Sequence, residues 1–276
     1  MLTNEVMGAL ALAILWVNTL LVAADAGQQA RALLRRRDEM RALGAGARGA
    51  GLVRGRVVGG ALAVHRVEQV GRAGAIEGTI LFHDRSACGE ILGGALAEPD
   101  GGALTVEAVA VAEVWLTPGE LARAAACASD AAFDQAEGHA RKARGFSRTV
   151  NATVGADAEV FVLGEARGAG HGDGRALSPI LVATMDPRAL LARKAALAAT
   201  FVTVELVLAA ACTAAALWPP VFGRISTVGG VLCLGFFLLV QPAGKALRDA
   251  LLTPSRAPVR GRWTRGAGGT EPQAAR

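Results

Sequence analysis

The stretch Ala195–Trp218 reads AALAATFVTVELVLAAACTAAALW and contains one charged residue, Glu205, in 24 positions. A helix of this length, rising about 1.5 Å per residue, crosses a hydrocarbon layer of about 30 Å. Two further apolar runs lie at Val6–Ala24 and Ile225–Val240. The pattern predicts three transmembrane helices, one at the N-terminus and two forming a C-terminal hairpin.

The apolar residues make up 52% of the chain and are bunched rather than periodic, which favours a membrane protein. They predict six segments: transmembrane helix 1 over 1–25, a basic juxtamembrane helix and glycine-rich linker over 26–50, a β-rich domain over 51–194, transmembrane helix 2 over 195–218, transmembrane helix 3 over 225–242, and a basic, disordered tail over 243–276.

Basic residues cluster beside each apolar run and predict membrane-surface contacts. They are Arg31, Arg35, Arg36, Arg37, Arg41, Arg193, Lys194, Lys245 and Arg248. The positive-inside rule places all of them, the β-rich domain and the tail in the cytoplasm. We expect the first run to be an uncleaved anchor; the alternative is a signal peptide cleaved near Ala24-Asp25-Ala26.

Between the first two runs, short β-branched segments separated by glycines predict a small, mainly antiparallel sheet with one wet face. The expected strands are 52–58, 62–70, 78–83, 104–116, 149–154, 159–165 and 176–184, with turns at 59–60, 71–74 and 98–102. Thr117, Pro118 and Glu120 form a capping box that predicts a helix over 117–143. Asp186 and Pro187 begin a short helix that runs directly into the second span. The predicted fold class is therefore an α+β membrane protein.

Catalytic and metal-binding signatures are weak. His83-Asp84 with Cys88 suggests a thiol site, against the simpler reading as a turn, and His171 with Asp173 offers a metal only two ligands. A disulfide between Cys88 and Cys127 is a further alternative. The glycines of 44–49 match G-x-G-x-x-G, but they follow a helix and precede a strand, the reverse of a dinucleotide site. We expect no catalytic, cofactor or metal site.

Glu205 carries the clearest energetic argument, because a carboxylate inside a span is costly unless it is protonated, paired or hydrated. Asn18 in the first span is the expected hydrogen-bond partner, and Thr203 or Thr213 offers further polar contacts. A polar contact that fixes helix packing is favoured over a proton or cation path.

Membrane lipids, with a protein partner or a second copy of the chain, are the expected partners. The net charge of +5 comes largely from arginines beside the spans and in the tail. Nucleic acid is disfavoured, since the chain has no tyrosine and few other aromatic residues on which bases could stack. The abundance of alanine, glycine and arginine is typical of a high-GC bacterial source.

A resemblance to a known family begins at the segment Val160-Phe161-Val162-Leu163-Gly164-Glu165-Ala166. This segment is followed by a glycine-rich turn, the strand 180–184 and the helix 186–194, which enters a span. Together they resemble the GIDE, or beside-a-membrane, domain. The resemblance is best over 104–218 and weaker over 51–103. It implies a domain held beside a membrane, as in MULAN-type ubiquitin ligases and bacterial membrane proteins. Those ligases carry a RING domain with eight Cys or His zinc ligands, and no Cys or His follows Cys233 here.

These observations give three hypotheses. The first is a non-catalytic interaction or scaffold module at the bacterial inner membrane. The second is a subunit of a transport or ion-conducting assembly that uses Glu205. The third is a ligase-like protein that depends on a RING from another chain.

Overall fold

The chain forms two compact units in a computed structural model, which describes residues 4–40, 49–73, 79–127, 146–167, 175–217, 227–251 and 262–264. The helical unit comprises Met1–Arg41 and Asp186–Leu252, and the β unit comprises Ala42–Met185 and Thr253–Arg276. In chain order the described elements are α1 Asn4–Glu39, β1 Ala50–Val58, β2 Ala63–Ala73, β3 Thr79–Ile91, β4 Gly94–Ala97, β5 Ala103–Val106, β6 Val109–Trp115, α2 Pro118–Cys127, β7 Phe146–Val154, β8 Glu159–Arg167, β9 Ala176–Ala183, α3 Pro187–Leu217, α4 Thr227–Leu251 and β10 Arg262–Thr264. The α+β fold class is confirmed.

Two long helices confirm the continuity that the sequence predicts. α1 passes without a break from the apolar run into the polar segment that follows it. The short helix expected after Asp186 and the second apolar run form one helix, α3, so the boundary expected at 194/195 lies inside it. The Asp186 carboxylate accepts a hydrogen bond of 2.9 Å from the Arg188 backbone N–H, as expected of an N-cap.

Five strands of the β unit close into a small barrel. β1 pairs with β4 and β8, β4 with β5, and β8 with β9, all antiparallel. The ring closes where β5 pairs with β9 in parallel, through Thr105 opposite Ala176 and Val106 opposite Leu177. Inward-facing apolar side chains fill the core; they include Val53, Val57, Leu96, Leu104, Val160, Val162, Leu177 and Val182.

A second group of strands, in the order β6-β3-β2-β7, continues from the other half of β9. β6 also pairs with β9 in parallel, with Val114 opposite Val182. The sheet is therefore antiparallel, as expected, except where β9 pairs in parallel with β5 and β6.

The single strand expected over 104–116 is wrong, because it divides into β5 and β6. Thr105 pairs with Ala176, whereas Glu113 pairs with Leu181. Between these two pairs the chain advances 8 residues from β5 to β6 but only 5 residues along β9. The three extra residues interrupt the strand at Glu107 and Ala108, which belong to neither element.

Other local expectations also differ from the structure. β4 was not predicted, β2 continues through Gly71–Ala73 where a turn was expected, and β3 extends to Ile91 across the segment that was read as a turn near Cys88. Three residues of the tail form β10, which pairs with Thr79–Leu81 of β3, so the expectation of a disordered tail is wrong there. Of the helix expected over 117–143, the structure describes α2; the rest lies outside the described residues.

The capping box at the start of α2 is confirmed and makes a further contact. The Glu120 carboxylate accepts hydrogen bonds of 2.7 Å from both the backbone N–H and the hydroxyl of Thr117. The Thr184 hydroxyl, just after β9, donates to the same carboxylate oxygen. Glu120 thus ties the start of α2 to the end of β9.

The Glu120 carboxyl is electrostatically adapted to this position. Burial alone would raise its pKa, but the hydrogen bonds from Thr184 and Thr117, with the charge of Arg123 nearby, outweigh burial and lower the pKa below its ordinary value. The carboxylate form is therefore the one that the fold stabilises.

Gly164 of β8 allows a proline to occupy the central strand β9. Proline has no N–H to donate to the sheet, and the register shifts between Leu163 and Gly164, opposite Pro179. A Cβ at Gly164 would lie 2.4 Å from the Ser178 carbonyl oxygen and 2.9 Å from the Pro179 Cα. Both neighbours are backbone atoms, so they can move only with the strand.

We predict that Gly164→Ala lowers the free energy of unfolding of the β unit by about 1–3 kcal/mol or more, the usual cost of overpacking. The control is Gly155→Ala, because a Cβ at Gly155 meets nothing within 4 Å. Thermal unfolding of the full chain in detergent, followed by near-UV circular dichroism, measures both. Equal melting temperatures for the two variants would contradict the close approach at Gly164.

We also predict a pH-dependent contribution from Glu120. Because its folded-state pKa is lowered, its stabilisation is complete above the unfolded value of about 4.3 and is lost as the pH falls through the folded value. Glu120→Gln should therefore melt below wild type at neutral pH, and the difference should shrink as the pH falls toward about 3. Glu90→Gln, at an exposed site on β3, is the control. A difference that stays constant with pH would refute the role of the charge.

Candidate functional site

The three helices of the helical unit pack around a common core. The Trp16 indole N–H of α1 donates a 3.0 Å hydrogen bond to the Thr213 hydroxyl of α3. Further along, Ala26 of α1 and Ala198 of α3 belong to one buried cluster with Leu247 and Leu251 of α4. Higher numbers on α1 thus meet lower numbers on α3, so α1 and α3 are antiparallel. A second cluster joins Leu15 to Cys233 and Phe236, so α4 runs parallel to α1.

The helical unit exposes large apolar side chains on its outer surface and buries two polar ones in an otherwise apolar core. Large apolar residues that are at least about half exposed include Leu10, Ile14, Val17, Leu20 and Leu21 on α1, and Val204, Val207, Leu208 and Leu217 on α3. The buried polar side chains of these two helices are Thr19, 0% exposed, and Glu205, 3% exposed. Water would favour the opposite distribution.

Two of the described helices are long and apolar enough to cross a membrane. They are Ala9–Glu39 within α1 and Pro187–Leu217, which is α3. α4 is present, but its apolar part, Cys233–Gly244, is shorter than the roughly 20 residues that a span needs. Three transmembrane helices are therefore not supported by length and composition; two are.

Glu205 faces the core of the helical unit, but the hydrogen bond expected from Asn18 is not made. Neither oxygen of its carboxyl group has a hydrogen-bond partner within the described chain. Thr203 donates to the Ala199 carbonyl of its own helix. Thr213 does link two helices, since its hydroxyl accepts from Trp16 while donating to the Ala209 carbonyl at 2.8 Å.

Thr19 is the polar residue of the core that sequence reasoning missed. Its hydroxyl oxygen is buried and, among the described residues, has no hydrogen-bond partner. Leu15, Thr19, Val22 and Ala26 repeat at intervals of four, three and four, which is one face of a helix. That periodicity could have identified Thr19, because Asn18 is rotated about 100° away from Thr19.

The basic residues predicted at the membrane surface gather at one end of the helical unit. Arg31, Arg35, Arg36 and Arg37 lie in the last part of α1, and Arg193 and Lys194 lie in the first part of α3, which is the same end because the helices are antiparallel. Lys245 and Arg248 lie toward the end of α4 that reaches this cluster, although their side chains, like all of Arg41, are outside the described residues. The Lys194 ammonium donates a 3.3 Å hydrogen bond to the Leu251 carbonyl of α4.

In the β unit, an open cleft of about 420 Å³ lies beside the contact between α2 and β7. Glu120, Arg123 and Ala124 line the helix side, and residues 151–153 line the strand side. β7 pairs with β2 along one edge, and no described strand pairs with its other edge. The cleft thus combines a strand edge, an exposed guanidinium and alternating exposed side chains at Asn151 and Thr153.

A buried polar chain holds α2 against this sheet. Gln69, 0% exposed, donates to the Asp84 carboxylate at 2.9 Å and accepts from the Arg148 guanidinium at 2.8 Å. Arg148 also donates to the Ala125 carbonyl near the end of α2, at 3.2 Å. The Asp84 carboxylate, which belongs to the suggested thiol site, therefore accepts a hydrogen bond that serves the packing of the sheet.

The remaining candidates for chemistry do not converge. Cys88 is exposed on β3 and is a free thiol, so it forms no disulfide with Cys127. The His83 side chain and the whole of His171 and Asp173 are outside the described residues. Within the described ranges, no three His, Cys, Asp or Glu residues are grouped so that they could hold a metal ion.

The geometry also bears on a conducting path. A pore between copies of the chain would need Glu205 on the outer surface of the helical unit, whereas its side chain faces the chain's own core.

Comparison with known proteins adds no relative: no family model, no curated protein and no solved structure matches the chain.

Proposed function

We propose that the chain is an integral membrane protein whose β unit is a non-catalytic interaction module beside the membrane. α1 and α3 cross the bilayer, and α4 lies in the same membrane as a third, shorter apolar helix. The membrane is the bacterial inner membrane, and the β unit and the tail are cytoplasmic. The resemblance to the GIDE domain belongs to this proposal.

The observation that carries the proposal is the apolar outer surface of the helical unit. Its surface presents Leu, Ile and Val side chains from α1 and α3, while Thr19 and Glu205 face inward. Fully burying each exposed apolar side chain in hydrocarbon is favourable by about 1.5–3 kcal/mol of free energy. Lipid is therefore the solvent that suits this surface. α4 extends the same surface with Val231, Leu234, Leu238 and Leu239.

The basic end of the helical unit supports the proposed orientation. Lys and Arg residues beside spans are retained on the cytoplasmic side and attract anionic headgroups. The chain passes from α1 to the β unit after Arg41 and returns before Asp186. Both passages leave from this basic end, which supports a cytoplasmic β unit.

The cleft between α2 and β7 supports an interaction role. An extended peptide can add to an unpaired strand edge through main-chain hydrogen bonds, while side-chain contacts select its sequence. Asn151 and Thr153 of β7 and Arg123 of α2 are placed to make such contacts. We therefore assign the recognition of a protein partner to this cleft.

The order of elements supports the GIDE resemblance. An apolar helix precedes a β-rich unit. Only Thr184, Met185 and Asp186 separate β9 from the next helix, α3. The quoted segments around Val160 and Ile180 form β8 and β9, which are paired neighbours in the sheet.

We predict that Cys88 reports the side of the membrane on which the β unit lies. In a Cys127→Ser background, a membrane-impermeant maleimide should label inverted inner-membrane vesicles and leave intact spheroplasts unlabelled, because Cys88 is exposed on β3. Cys88→Ser should abolish the signal, since Cys233 is buried and Cys212 is partly buried in the helical unit. Labelling of intact spheroplasts would overturn the proposed orientation.

We also predict that the cleft contacts a protein. A photo-crosslinking amino acid at Asn151 should give an adduct of one discrete size in native membranes. The same group at Asp100, an exposed turn position between β4 and β5, should not. Identical adducts at both positions, or adducts with lipid alone, would refute recognition through the cleft.

A further inference from the structure

Thr19 and Glu205 are two buried polar side chains at the middle of the helical unit. They are 0% and 3% exposed, and three of their oxygen atoms are without a hydrogen-bond partner in the described chain. A buried polar group normally has a partner, so two such groups facing one core require an explanation.

The register of the helices gives the level of Glu205 along α1. Ala26 clusters with Ala198, and Glu205 is seven residues further along α3, which corresponds to position 19 on the antiparallel α1. The hydrogen bond between Trp16 and Thr213 gives a second level for Glu205. Glu205 lies eight residues before Thr213, which corresponds to position 24 on α1. Glu205 therefore lies between the levels of Thr19 and Ala24.

No described side chain near this level is a cation that could balance a carboxylate. The described inward-facing side chains near this level are Val22 on α1, Ala209 on α3 and Val240 on α4. Gly244 of α4 packs against Val22, with its Cβ position 3.3 Å from the Val22 Cγ1. The helices are thus in close contact here.

The other described ionisable side chains of the three helices are exposed, distant along the helix or thiols. Asp25 of α1 is exposed and accepts a hydrogen bond from Gln29. Cys212 of α3 and Cys233 of α4 are the thiols, and they belong to the same cluster as Val22, Ala209 and Val240. Lys194, three turns from Glu205, is bound to the Leu251 carbonyl, and the side chain of Lys245 is outside the described residues.

We propose that Glu205 is a proton-binding site in the core of the helical unit, where it is held as the neutral acid. Its carboxyl oxygens and the Thr19 hydroxyl each have no hydrogen-bond partner among the described residues, so Thr19 does not bind the carboxyl group. An ionised carboxylate in this apolar core would have no compensating charge among the described side chains. The inference depends on the packing of the helical unit and not on the interaction role of the β unit.

An apolar carbodiimide detects such an acid directly. The carboxylic proton moves to a carbodiimide nitrogen, and the carboxylate oxygen bonds to the central carbon. The acyl group then shifts from that oxygen to nitrogen. The product is a stable acylurea that has gained one whole reagent molecule, so no group leaves and no oxidant is needed.

The experiment uses the full chain in lipid vesicles, treated with dicyclohexylcarbodiimide or with a water-soluble carbodiimide, and reads peptide masses. We expect the apolar reagent to modify Glu205 at neutral pH and the water-soluble reagent to modify the exposed Glu90 instead. Labelling of Glu205 should fall much less between about pH 5 and pH 7 than that of a solvated glutamic acid, which would lose roughly 80-fold. Glu205→Gln should lose the Glu205 adduct and keep its circular dichroism spectrum.

Absence of the Glu205 adduct with the apolar reagent at neutral pH, or equal modification by both reagents, would overturn the proton site.

Discussion

Strand β9 is the element on which both halves of the β unit depend. One edge of β9 bonds to β8, and the other edge bonds first to β5 and then to β6. Every backbone donor and acceptor of a buried strand needs a partner, and β9 obtains these partners from three strands that are distant in sequence. Pro179, which has no N–H, lies opposite Gly164, where the pairing of β8 and β9 shifts register. The barrel and the β6-β3-β2-β7 strands are thereby joined through one backbone.

Glu120 extends this constraint from the sheet to α2. Its carboxylate joins Thr117 at the start of α2 to Thr184 after β9, while Arg148 joins the far part of α2 to Gln69 in β2. Hydrogen bonds that involve a charged group contribute about 1.5–3 kcal/mol each, roughly twice a neutral one. α2 is therefore fixed at both described ends by charged groups, next to the cleft that lies beside β7.

Local signals in the sequence predicted local structure well. The capping box, the Asp186 N-cap and the continuity of α1 and α3 depend on a few adjacent residues, and all three are confirmed. The closure of the barrel was not predictable, since it depends on β5 meeting β9 across some 70 positions and on extra residues at Glu107 and Ala108. Within the helical unit, the inward direction of Glu205 is a property of helical periodicity, but the choice of Asn18 over Thr19 ignored the rotation of 100° per residue.

The two units differ in what their surfaces can recognise. The outer surface of the helical unit consists largely of aliphatic side chains, which distinguish lipid from water but provide few directional contacts. The β unit offers a strand edge, a guanidinium and amide or hydroxyl groups in one cleft, and such groups confer specificity because a mismatched partner leaves them unpaired. In the proposed function, recognition therefore belongs to the β unit. In the proposed proton site, a change of charge at Glu205 acts on the packing of α1, α3 and α4, because its side chain faces the core that these three helices share.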